Sequence, residues 1–171
     1  NPRHYRDKAN EGMQAYAFSQ VPREEIYNAT GIQFVPFNSL YQLLSYKKAN
    51  SPALAAADTL LLMGDLLAYL LSGRKACEYT NASTTQMLNP YTRTWNEELL
   101  ERFDLPRGIL LDPVEPGTIL GALRDEIAEQ TGIQRGVPVI APGSHDTASA
   151  VAAVPVAGAS APWAYLSSGT W

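Results

Sequence analysis

VPVIAPGSHDTASAVAAVP, residues 137–155, changes character in its middle. Up to Ala141 it is a short apolar run with β-branched residues, which predicts a buried strand. From Asp146 it is small and apolar, which predicts a helix over 146–154 ended by Pro155. A strand turning through Gly143 and Ser144 into a helix is an α/β unit, and ligands in α/β sheets sit at the carboxyl ends of the strands. That edge is where His145 and Asp146 fall. A carboxylate there can accept the proton of a substrate hydroxyl or hold a hydrated Mg2+. It can equally serve as the N-cap of the next helix, satisfying its free N–H groups. His145 has the same two uses, as a ligand contact or as a structural hydrogen-bonding residue. Ser144, His145 and Asp146 are consecutive, so they cannot align as a nucleophile, base and orienter, and the chain has no G-x-S-x-G elbow.

Outward from this junction, the chain alternates helical and apolar segments. Toward the N-terminus, helices are predicted over 7–19 and 22–27. A third, capped by Asn38, carries Leu40, Leu43 and Leu44 on one face. DTLLLM, 58–63, reads as a short buried strand, and GDLLAYLLSGRK, 64–75, as a helix ended by Gly73. EYTNASTTQMLNP, 78–90, is dense in hydroxyl side chains that favour turns and caps or line a polar pocket. A helix is predicted over 95–103 and another over 119–130, joined by an irregular 110–121. Residues 163–168 read as a strand, and VAGASAP, 156–162, as a boundary between domains.

The composition limits the function classes. The chain has 171 residues, 46% of them apolar and 18% charged, which describes a globular chain with a real core. The net charge of −4 argues against an extended nucleic-acid footprint. Its one cysteine, Cys77, allows no internal disulfide and no zinc cluster, as fits a reducing, cytoplasmic setting. TLLLMGDLLAYLLSG, 59–73, is shorter than the roughly 20 residues a membrane span needs and has Asp65 in its middle.

Two further clusters could carry chemistry. SSGTW, 167–171, offers hydroxyls and close-approaching N–H groups suited to phosphate oxygens, or simply a hairpin turn. In HYRDK, 4–8, Arg6 and Asp7 form a donor and acceptor pair able to grip sugar hydroxyls, or a solvated helix start capped by Asp7.

Taken in order, HYRD, TGIQF with FNSLYQLL, EYTNASTTQMLN, VPVIAPGSHDTASAV and AYLSSGTW resemble the FGGY carbohydrate kinases, and within that family the branch acting on L-rhamnulose. The resemblance implies an α/β, actin-like and ribonuclease-H-like pair of lobes closing over ATP, Mg2+ and a ketose. It implies Asp146 as general base, with His145, Thr147, Arg6 and Asp7 contacting the sugar. Gly169 and Thr170 would touch ATP. Residues 1–155 are then part of the sugar-binding N-terminal lobe, and 156–171 a linker and the first strand of the ATP-binding lobe. On this reading the chain is an internal piece without the Gly-rich phosphate loop, inactive by itself. Kinases of another ketose or of a polyol, and a non-catalytic sugar-binding relative, are the alternatives within the same resemblance.

Overall fold

The structure is a computed structural model that describes residues 4, 7–156, 158, 160 and 162–168. Its first element is a 3-10 turn, Lys8–Asn10, capped by Asp7, whose Oδ1 accepts a hydrogen bond from the Ala9 N–H at 2.8 Å. The helix expected from residue 7 is therefore split. Gly12, at φ +74°, reverses the chain before α1, Met13–Gln20, begins. α2, Arg23–Thr30, starts after Pro22 with Glu24 and Glu25 in its first turn and ends at Gly31. It runs three residues beyond the expected end.

α3, Ser39–Lys48, buries Leu40, Leu43 and Leu44 as their spacing predicts. Asn38 stands at its N-cap position but does not cap it. Instead Asn38 Oδ1 accepts from the Val35 N–H at 3.0 Å, and its Nδ2 donates to the Thr84 carbonyl at 2.9 Å. A short α4, Pro52–Ala55, leads into the leucine run. The strand expected over 58–63 does not form. Residues 59–62 take no regular structure, and the Leu60 N–H donates at 2.8 Å to the carbonyl of Ile109, in a 3-10 turn rather than a strand. Met63 already belongs to α5, Met63–Ser72, which Gly73 ends as expected.

The middle of the chain is made of short pieces. β1, Cys77–Glu78, runs directly into α6, Tyr79–Ser83. β2, Leu88–Asn89, and β3, Thr94–Trp95, form an antiparallel pair. α7, Glu97–Arg102, is capped by Asn96, whose Oδ1 accepts from the Leu99 N–H at 2.9 Å. After a 3-10 turn, Arg107–Ile109, β4, Pro113–Val114, lies parallel to β1.

The helix expected over 119–130 is in fact two elements. β5, Ile119–Ala122, comes first and α8, Asp125–Thr131, follows. Ile119 and Leu120 suit either period, and Gly121 at φ +145° decides for the irregular strand. β5 pairs antiparallel with β6, Pro138–Ile140, and α9, Asp146–Ala152, completes the described elements. β6 is not the buried strand its sequence suggests: Ile140 is 49% exposed. α5 packs on this β5–β6 pair. Residues 163–168 likewise pair with no strand among the described residues, and Leu166 is 91% exposed.

The main core gathers Ile26, Leu40, Tyr41, Leu44, Met87, Leu100 and Phe103, all essentially inaccessible. A smaller cluster of Ala76, Leu120 and Ala141 lies under α5 and beside β1, and it anchors the base of the loop that precedes α9. Among the described residues, no helix is long and apolar enough to cross a membrane.

Candidate functional site

The loop between β6 and α9 is fixed at both ends. At its start Ala141 is buried and tied to the residues before β5: its N–H donates to the Thr118 carbonyl at 2.9 Å, and its carbonyl accepts from the Gly117 N–H at 2.7 Å. At its end the Ser149 hydroxyl of α9 donates back to the Gly143 carbonyl. A Cβ at 143 would sit 3.1 Å from that hydroxyl oxygen, so a larger residue there would push the serine aside.

His145 takes the N-cap position of α9. Its Nδ1 accepts from the Thr147 N–H at 3.1 Å, so the ring's donor is Nε2–H. This corrects the capping alternative read from sequence, which gave that place to Asp146. Asp146 is instead the first residue of the helix. Its Oδ1 accepts from the Thr147 N–H at 2.7 Å and lies 3.6 Å from His145 Nδ1. The Asp146 side chain is 99% exposed, so its remaining lone pairs are open to an incoming hydroxyl.

Beneath the loop lies a buried carboxylate. Glu78 is 1% exposed, and its Oε2 accepts from the Ser144 N–H at 3.0 Å and from the Ser144 hydroxyl at 2.8 Å. The same carboxylate caps α6, accepting from the Thr80 N–H at 2.7 Å and the Asn81 N–H at 3.2 Å. Burial alone would push the Glu78 carboxyl up, but the hydrogen bonds from Thr80 and Ser144 outweigh it and hold it below the usual range.

Asp65, in α5, supports Glu78 from behind: its Oδ1 accepts from the Glu78 N–H at 3.0 Å. Burial, reinforced by the nearby Glu78 charge, pushes the Asp65 carboxyl up to about 6. Its Oδ2 has no hydrogen-bond partner among the described residues. Gly64, next to it, lets Ser144 approach closely, since a Cβ at 64 would lie 3.0 Å from the Ser144 Cβ.

The structure thus brings His145, Asp146 and Thr147 together on one turn. Asp7 sits on the 3-10 turn that packs against α3. Arg6, Gly169 and Thr170 lie outside the described residues. An open hollow lined by Arg23, Glu24, Tyr27, Gly31, Gln33 and Phe34 holds none of the candidate catalytic, sugar-binding or ATP-binding residues. Among the described residues no group of three or more His, Cys, Asp or Glu side chains could hold a metal ion, and Asp146 offers a single exposed carboxylate.

The model of the FGGY family of carbohydrate kinases, N-terminal domain, matches residues 7–153. The chain belongs to the FGGY family of carbohydrate kinases. Among curated relatives it is 42% identical over 167 residues to the rhamnulokinase of Oceanobacillus iheyensis, covering 98% of this chain and 34% of that protein. It is 45% identical over 170 residues to the rhamnulokinase of Pectobacterium atrosepticum, covering 99% of this chain and 33% of that one. The chain therefore spans about a third of the length of these FGGY relatives. Its fold is the α/β, actin-like fold of FGGY sugar kinases. The ligand-bound xylulose kinase from Lactobacillus acidophilus superposes with a TM-score of 0.73 at 22% identity, over 81% of this chain and 28% of that one.

Glu78 and Asp65 were within reach of sequence reading but were not singled out as site residues. Asp65 interrupts an apolar helix, a signal that fits a buried carboxylate as well as it argues against a membrane span. Glu78 precedes a hydroxyl-rich segment that reads equally as turn or pocket. Its link to Ser144, 66 residues away, has no local signature.

Proposed function

We propose that this chain is part of the sugar-binding lobe, with the start of the ATP-binding lobe, of a longer kinase that transfers the γ-phosphoryl group of ATP to the 1-hydroxyl of L-rhamnulose. Asp146 orients that hydroxyl and takes its proton as the new O–P bond forms. Phosphoryl transfer asks the protein mainly for alignment and charge stabilisation, so a carboxylate on a clamped turn is suited to the task. The His145 Nε2–H donates to a sugar oxygen, and the Thr147 hydroxyl makes a further polar contact. Arg6 and Asp7 contribute to the acceptor side, while Gly169 and Thr170 contact ATP phosphates. Mg2+ accompanying the ATP would neutralise phosphate charge when bound.

The single observation that carries this reading is the exposed Asp146 carboxylate at the end of a loop anchored to buried Glu78. The choice of L-rhamnulose is supported by the 42–45% identity to two rhamnulokinases. We place the lobe boundary at 156–162 and the working compartment in the cytoplasm.

The chain by itself is proposed to be inactive. Its α5 leaves Met63, Leu67, Leu70 and Leu71 between 40% and 57% exposed, an apolar face suited to further protein. The test is ATP-dependent phosphorylation by the full-length kinase across a panel of L-rhamnulose, L-xylulose, D-xylulose and glycerol. A clear preference for L-rhamnulose is expected; equal rates on L-xylulose would overturn the specificity, and phosphorylation by the 171-residue chain alone would overturn its inactivity.

A further inference from the structure

We propose that Glu78 and Thr80 are positioning residues for phosphoryl transfer, holding the Ser144–His145 backbone so that Asp146 meets the sugar hydroxyl. The inference rests on the kinase reading above and adds to it the residues through which the fold holds its base in place.

Glu78 cannot touch a substrate, because it is 1% exposed. Any effect it has on the reaction passes through the loop. Its carboxylate receives Thr80 N–H, Thr80 Oγ1–H, Asn81 N–H, Ser144 N–H and Ser144 Oγ–H. Capping α6 accounts for the bonds from Thr80 and Asn81. The bonds from Ser144 serve no purpose in that helix; they secure the residue two places before Asp146.

Thr80 carries the clamp one residue further. Its hydroxyl donates to Glu78 Oε2 and accepts from the His145 N–H at 3.2 Å. Consecutive backbone N–H groups of the loop are therefore gripped by side chains from β1 and the start of α6, and the next residue is Asp146. Gly64 and Asp65 complete the support, one by leaving room for Ser144 and the other by accepting from the Glu78 N–H. A base must lie within a few tenths of an ångström of its productive place, and a displacement of about 1 Å can cost on the order of a hundredfold in rate.

The chemistry of position 78 is specific. Glutamine would bring an NH2 group to a site where every neighbouring hydrogen points inward, setting donor against donor. Aspartate is a methylene too short to reach both partners. Glu78→Gln also threatens folding, so Thr80 offers the cleaner test: Thr80→Val keeps the shape and removes only the bridging hydroxyl, and Thr80→Ser restores it.

The experiment measures L-rhamnulose phosphorylation by the full-length kinase as wild type, Thr80→Val, Thr80→Ser, Asp146→Asn and the Thr80→Val/Asp146→Asn double variant. Thr80→Val is expected to lower kcat about tenfold with the KM for ATP unchanged, and Thr80→Ser to return kcat to within about twofold. In the Asp146→Asn background Thr80→Val is expected to cost less than about twofold, because the group being positioned is gone. Equal losses in both backgrounds, or no recovery with serine, would overturn the positioning role alone. Near-normal turnover by Asp146→Asn would overturn the base assignment and the positioning role with it. Should Asp146→Asn fall below detection, the serine recovery and the split between kcat and KM decide the matter.

Discussion

Asp65→Asn should remove a pH dependence of stability that the buried carboxyl imposes on the fold. Asp65 is 4% exposed, and burial lifts its carboxyl from 3.8 to about 6. At about 1.4 kcal/mol per pKa unit, a shift of this size corresponds to roughly 3 kcal/mol. The sign follows from proton counting. Between about pH 4 and pH 6 the folded chain keeps a proton that the unfolded chain has released, so stability falls as pH rises through this window and levels off above it. Asparagine has no proton to lose, and its Oδ1 can still accept from the Glu78 N–H. At pH 4 the variant should be no more stable than wild type, because one buried amide end lacks a partner. By pH 7 its stability relative to wild type should have improved by about 3 kcal/mol. Urea denaturation of both proteins at the two pH values measures the difference directly. The same relative stability at pH 4 and pH 7, within about 1 kcal/mol, would refute the reasoning.

Two other substitutions probe the core and the loop. Tyr41→Phe removes the hydroxyl that donates at 2.6 Å to Gln86 Oε1, both residues being fully buried. Leaving that oxygen unpaired should cost about 1–3 kcal/mol, read as a lower urea midpoint at unchanged m-value; an unshifted midpoint would contradict it. Gly64→Ala places a Cβ 3.0 Å from the Ser144 Cβ, which must move. Sugar turnover by the full-length kinase should fall about tenfold, and wild-type turnover would show that the loop has slack.

Much of the fold was legible because its signals are local. Gly73 ends its helix as read, Leu40, Leu43 and Leu44 bury one face of α3, and the change of character at residues 137–155 is a real strand–loop–helix unit. What misled was apolarity without a partner. The 58–63 and 163–168 runs have strand composition, yet neither has a neighbouring strand in the described residues with which to form a ladder. Residues 119–122 failed for another reason, since a short Ile-Leu-Gly-Ala segment has no period long enough to separate strand from helix.

The turn carrying His145, Asp146 and Thr147 was found from its place after a strand and from its resemblance to FGGY kinases. Which residue caps the helix was not legible, because histidine is an uncommon cap and aspartate a common one. The Glu78 and Thr80 clamp was hidden by sequence distance. Only folding brings residues 78 and 80 against residues 144 and 145.

The most direct measurement is kcat for L-rhamnulose phosphorylation by the full-length kinase carrying Asp146→Asn, a change that keeps the side chain's size and removes its basicity. A fall of about a hundredfold to ten-thousandfold is predicted, with the KM for ATP close to wild type. A kcat within about threefold of wild type would show that the proton leaves by another route and that Asp146 merely begins a helix.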